Sequence, residues 1–197
     1  RGFSAGHNLK EVKSLKARNK YQKLFNLCSK LMLQIVEGNK PVIAKVHGAA
    51  YAAGCQLVAS CDLAYSTKDA LFATPGVNIG LFCSTPMVAV SRKINKKPMM
   101  KMLLTGEPIK ANFAKEIGLI NDCFSKSKLN NEVLKIAKKI ASKSNLTIKI
   151  GKRTFYKQLE MPLRKAYAHT SKMMTINMLA MDAKEGISAF IEKRKPC

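Results

Sequence analysis

The stretch GAAYAAGCQLVASCD, Gly48 to Asp62, places one small residue after another and then turns helical near Gly54. Small side chains let a backbone come close to another backbone or to a ligand. A helix that begins there leaves its first amides unpaired, at the positive end of the helix dipole. Such amides can donate hydrogen bonds to an oxyanion or a carbonyl oxygen. Close packing of helix on strand would explain the same residues, and the stretch alone leaves both readings open. Gln56 puts a polar side chain at the mouth of this apolar helix. A carboxamide orients water but accepts no proton near neutral pH, so it is not a general base.

The remaining reactive side chains are scattered. The three histidines (7, 47 and 169) show no metal-ligand spacing. The six cysteines (28, 55, 61, 83, 123 and 197) lack C-x-x-C spacing, which fits reduced thiols in an intracellular compartment better than a disulfide or zinc framework. Among twelve acidic residues, Asp62, Glu107 and Glu116 read as structural. Cys83, in GLFCSTP, is a candidate nucleophile whose simpler reading is buried packing.

The elements that must position these groups follow from composition and periodicity. A chain of 197 residues with 47% hydrophobic content buries a core in one domain with a helical appendage. It contains no apolar run of the roughly 18 residues that a transmembrane helix needs. Its net charge of +23 is spread along the chain, which favours solvated helix faces over a single anion-binding block. Leu24, Phe25, Cys28, Leu31, Met32 and Ile35 recur at helical spacing, predicting a long helix that ends before Glu37–Gly38. PVIAKVHG predicts a strand, Gly54 to Ser60 a helix, and DLAYST and ALFAT two strands around a turn at Lys68–Asp69. Helices are expected at Met87–Arg92, at Pro98–Leu104 with Gly106 as a stop, and at Ala111–Ile117 closed by Gly118. From Leu129 onward nearly everything reads as helix. The expectation is an α/β core over residues 1–125 and a helical region over 126–197.

FSAGHNLKE, the segment PVIAKVHGAAYAAGCQLVASCDLAYSTKDALFATPGVNIGL, LLTGEPIKANFAKEIGLIND and the terminal EGISAFIEKRK together resemble the crotonase (enoyl-CoA hydratase/isomerase) superfamily. One subgroup is similar in showing AAGCQLVASCD and, apart from Ile79, FATPGVN-GLFCSTP. The resemblance implies a ββα superhelix core with C-terminal helices that form homotrimers or hexamers. What the family has before Arg1 is expected to be missing. Two backbone amides would form an oxyanion hole for a CoA thioester: those of His7, after SAG, and Ala53. Ala5, His7, Leu9 and Lys10 would meet the nucleotide end of CoA, and Phe190 and Lys193 would reach it from the C-terminal segment. No cofactor is implied beyond the CoA thioester as substrate or ligand. The resemblance also points to fatty acid metabolism, lyase chemistry and a mitochondrial location.

The family's hydratases carry two glutamates, twenty residues apart, that hold and activate water and handle the α-proton. Their positions here are Gln56 and Gly76, and neither is a carboxylate. The resulting expectation is an acyl-CoA-binding protein that keeps the oxyanion hole and is weak or inactive as a hydratase. The alternatives are an active hydratase or isomerase using another base, such as the His7 imidazole, and an RNA-binding homologue. One crotonase relative binds RNA through a lysine-rich helix, as KIAKKIASKS would here. Against that use, aromatics make up 7% of the chain and none interleaves with those lysines.

Overall fold

The computed structural model describes residues 2–195. The chain forms two compact units: Arg1–Val36 with Val42–Ile136, and Glu37–Pro41 with Ala137–Cys197. Cys197 lies outside the described residues, among which Cys28, Cys55, Cys61, Cys83 and Cys123 are free thiols.

The first unit begins with helix α1 (Leu9–Ser14) and the long α2 (Arg18–Glu37). Strands β1 (Ile43–Val46) and β2 (Ala49–Tyr51) then lead into α3 (Ala53–Ser60), followed by β3 (Leu63–Thr67) and β4 (Leu71–Ala73). DLAYST and ALFAT are strands, as their residues predict, but they do not pair with each other. β3 lies parallel to β1, with Ile43 opposite Leu63, and β4 lies parallel to β2, with Ala49 opposite Leu71. The turn at Lys68–Asp69 therefore carries the chain from one sheet to the other. Each strand–strand–helix unit adds one strand to each layer, which is the geometry of a ββα spiral. The layers are completed by β5 (Ile109–Lys110), antiparallel to β4, and β6 (Asp122–Phe124), parallel to β3.

Sequence reasoning missed β2, β5 and β6. Ala49-Ala50-Tyr51 has no β-branched residue and looks like a turn, and strands of two or three residues carry too little periodicity to detect. Between the strands run a 3-10 turn (Pro75–Ile79) and helices α4 (Ser84–Val90), α5 (Lys96–Thr105) and α6 (Ala111–Glu116). Gly106 closes α5 in the left-handed region at φ 66°, as a C-cap glycine does. Phe72, Val46, Val58, Val90 and Met102 fill the core.

Asp62 behaves as its sequence context predicts. Its Oδ2 accepts the Val42 N–H at 2.7 Å, while the Asp62 and Leu63 amides donate to the Val42 carbonyl at 3.0 and 3.3 Å. This clasp ties the exit of α3 to the head of the β1–β3 pair. Glu107 and Glu116 are exposed.

α7 (Lys126–Ala141) packs Leu129 and Val133 around Tyr65 in the first unit. The second unit holds α8 (Asn145–Leu159), α9 (Leu163–Leu179) and α10 (Met181–Ile191). Ser144 caps α8, its Oγ accepting the Thr147 amide at 3.1 Å and donating to Asp182.

Asp62→Ala leaves the Val42 amide without its charged acceptor. The expected loss is about 1.5–3 kcal/mol in urea unfolding. A loss below about 0.5 kcal/mol would show that the clasp is dispensable.

Candidate functional site

The start of α3 is set by a close approach of backbones. Segment 2–6 runs beside β2, with the Ser4 amide donating to Ala49 O at 3.0 Å and the Tyr51 amide donating to Ser4 O at 2.8 Å. A Cβ on Gly54 would lie 2.4 Å from the Ser4 carbonyl oxygen, so only glycine lets α3 begin there. Gly6 adopts φ +92°, and a Cβ on it would come within 3.1 Å of both the Ala52 Cβ and the Ala53 nitrogen. The two readings of the small-residue stretch therefore meet. The glycines serve backbone packing, and that packing sets the peptide leading into His7 against the first residue of α3.

Ala52 precedes α3 at φ 50°, ψ −118°, an uncommon conformation for a residue with a side chain. It is held by its amide donating to Ala73 O at 3.0 Å and by its carbonyl accepting the Gln56 amide at 3.0 Å. No side chain caps the helix. The His7 and Ala53 amides have no acceptor among the described residues.

Gln56 lies one helical turn further in and is 3% exposed. Its Oε1 accepts the Cys28 thiol at 3.8 Å. Gly76 is buried within the 3-10 turn, where its amide donates to Cys83 Sγ at 3.3 Å. A Cβ on Gly76 would meet Leu81 O at 2.8 Å and Cys83 Sγ at 3.0 Å. This position has no room for a side chain without movement of the Leu81–Cys83 backbone. The His7 imidazole packs edge-on against Phe25, with ring centroids 5.8 Å apart.

Ala5, Leu9 and Lys10 are exposed around the start of α1. That helix was not foreseen, although Asn8-x-x-Glu11 carries a capping signal. Asn8 Oδ1 accepts the Lys10 amide at 3.1 Å, and its Nδ2 donates to Glu11 at 2.8 Å. Phe190 and Lys193 belong to the second unit, on α10 and just beyond it, and both are exposed. Two grooves lie away from these groups. One, of about 480 Å³, lies along α2 at Asn19, Lys23 and Lys30; the other, of about 580 Å³, lies between α8 and α9. Among the described residues no cluster of histidine, cysteine or acid could hold a metal ion.

Paired thin sheets wound as a ββα spiral, with an open helix start beside a glycine-bearing loop, define a crotonase-type protein. The sequence model of the enoyl-CoA hydratase/isomerase family matches residues 1–197. The mitochondrial enoyl-CoA hydratase domain-containing protein 3 of Homo sapiens is 50% identical over 194 residues, covering 98% of this chain and 64% of that protein. The crystal structure of an enoyl-CoA hydratase from Mycobacterium smegmatis matches with a TM-score of 0.99 at 47% identity, covering 100% of this chain and 77% of that one. The crystal structure of human enoyl-CoA hydratase domain-containing protein 3 gives 0.96 at 49% identity, covering 99% and 77%. The chain belongs to the enoyl-CoA hydratase/isomerase family and has the crotonase fold. It spans less than two thirds of the human relative's length.

The thiols around the site are held in their protonated forms. Burial pushes Cys55 up to about 12, and proximity to Cys83 adds to the effect. Burial also raises Cys28 and Cys83, although the Gly76 amide partly offsets the rise at Cys83. Cys83 therefore packs rather than standing ready as a thiolate nucleophile. The consequence for stability has a definite sign. Below pH 9.0, the ordinary thiol value, Cys55 is protonated in both folded and unfolded chains and its contribution is fully present. Above it, the unfolded chain releases a proton that the folded chain retains, so stability falls until about pH 12. The stability advantage of the wild type over Cys55→Ala should shrink above pH 9 by up to about 1.4 kcal/mol per pH unit. A pH-independent difference between pH 8 and 10.5 would place the thiol in a far less buried setting.

Proposed function

We propose that this protein binds acyl-CoA thioesters and has lost the acid–base machinery for hydrating them. The thioester carbonyl oxygen sits between the His7 and Ala53 amides, which strengthen their hydrogen bonds as negative charge develops on that oxygen. A donor of this kind is worth roughly 2.7–4 kcal/mol when removed from a comparable hole. Water addition needs groups that take a proton from water and deliver one to the α-carbon. Gln56 cannot exchange a proton in this range, and Gly76 offers no side chain.

The observation that carries this reading is the packing around Gly76. The hydratase carboxylate at that position is excluded by the Leu81 carbonyl 2.8 Å from where a Cβ would stand. The path of the backbone around Gly76 supports this reading. Nucleotide contacts through Lys10, Phe190 and Lys193 and a mitochondrial location follow the same family reading, and the human relative is itself named mitochondrial.

Two measurements on the full-length protein test the proposal. Saturating acetyl-CoA, at about 100 times its dissociation constant, should stabilise the fold by about 2.7 kcal/mol and raise the Tm. Crotonyl-CoA hydration should be absent or slower than that of a family hydratase by more than about 10⁴-fold, since each positioned group contributes roughly 10²–10⁴. Gln56→Glu with Gly76→Glu should recover little, because residue 76 must displace its own loop. No Tm shift at millimolar acetyl-CoA, or hydration at ordinary enzyme rates, would overturn the reading.

A further inference from the structure

Both positions at which the family's hydratases carry carboxylates are held by a cysteine in this chain. The Cys28 thiol, on α2, donates to Gln56 Oε1 at 3.8 Å, and Cys83 Sγ accepts the Gly76 amide at 3.3 Å. The first contact fixes which end of the Gln56 carboxamide faces where. A carboxamide has an acceptor end and a donor end. With Oε1 turned to the thiol, the NH2 end is the one directed away from α2. Burial raises the Cys28 thiol, so it stays a protonated donor at neutral pH and keeps the carboxamide in that orientation. The His7 and Ala53 amides are donors as well. Positions 56 and 76 thus offer hydrogen-bond donors and no carboxylate base.

We infer that Gln56 is a specificity-determining residue whose NH2 group binds an acceptor oxygen on the acyl chain, and that the preferred ligands are 3-oxoacyl-CoA thioesters. This rests on the thioester-binding reading above. Gln56 follows Ala53 by three residues, a rise of about 4.5 Å along the helix. With the thioester oxygen on the Ala53 amide, an oxygen on C3, two carbons along the chain, comes within reach of the next donor. A saturated chain has nothing to offer the carboxamide there. A neutral keto oxygen suits this buried, neutral donor, whereas a carboxylate would need a cation to offset its lost hydration.

Calorimetric titration of the full-length protein with butyryl-CoA, acetoacetyl-CoA and malonyl-CoA tests the inference. Acetoacetyl-CoA should bind about tenfold more tightly than butyryl-CoA, the value of one good hydrogen bond, and malonyl-CoA no more tightly than butyryl-CoA. Gln56→Leu should bring the acetoacetyl-to-butyryl ratio close to one. Cys28→Val should reduce the ratio by freeing the carboxamide to flip, and Cys28→Ser, which keeps a donor, should retain it. Equal binding of the two ligands by the wild type, a ratio that survives Gln56→Leu, or tighter binding of malonyl-CoA would overturn the inference while leaving thioester binding intact. Failure of all three thioesters to bind would overturn both.

Discussion

The Ser4 carbonyl and the first turn of α3 lie so close that no side chain fits between them. At Gly54 even a methyl group would stand 2.4 Å from that oxygen. Because Ser4 is paired to β2 through both its amide and its carbonyl, the N-terminal segment, the second sheet and α3 are fixed as one backbone assembly. The residues that follow inherit this geometry. Ala52 is held at positive φ, Gly6 turns against Ala53, and the His7 and Ala53 amides come out of adjacent backbones rather than from mobile side chains. A site built this way is preorganised, so its donors need little rearrangement when charge develops on a ligand oxygen.

The same packing logic explains what the site lacks. Gly76 is enclosed by the Leu81 carbonyl and Cys83, and Gln56 is tied to Cys28. A half-buried thiol, Cys28, and a buried one, Cys83, both raised by desolvation, thus stand beside Gln56 and Gly76. On the function proposed above, thioester binding would rest on backbone that the fold requires, and proton transfer on side chains at positions 56 and 76. That separation would let the chain hold thioesters while hydrating them poorly.

Much of this was legible in the sequence because it is local. The start of α3, the stops at Gly106 and Gly118 and the strand character of DLAYST and ALFAT all follow from residues close together in the chain. Pairing is non-local, so nothing in those two strands revealed that they enter different sheets. Ala49–Tyr51 hid as a turn because its partners, Leu71–Ala73 and Ser4, supply the stabilisation that its own residues do not. The glycines announced a close approach without saying to what, and Ser4 could be named only from the structure. Gln56 and Gly76 are legible directly in the sequence as positions without a carboxylate. The reason that 76 cannot simply be reversed depends on a loop five to seven residues further on, which no spacing rule describes.

The proposed function depends on two backbone amides, those of His7 and Ala53, gripping a thioester carbonyl. Isotope-edited infrared difference spectroscopy of bound acetyl-CoA, labelled with 13C at the thioester carbonyl, reads that grip directly. Two donors on one oxygen weaken the C=O bond, so the band of the bound ligand should move to lower frequency than that of free acetyl-CoA in water and narrow as the environment becomes uniform. A bound band at the solution frequency and width would mean that the carbonyl lies outside the His7–Ala53 site, and would contradict the account.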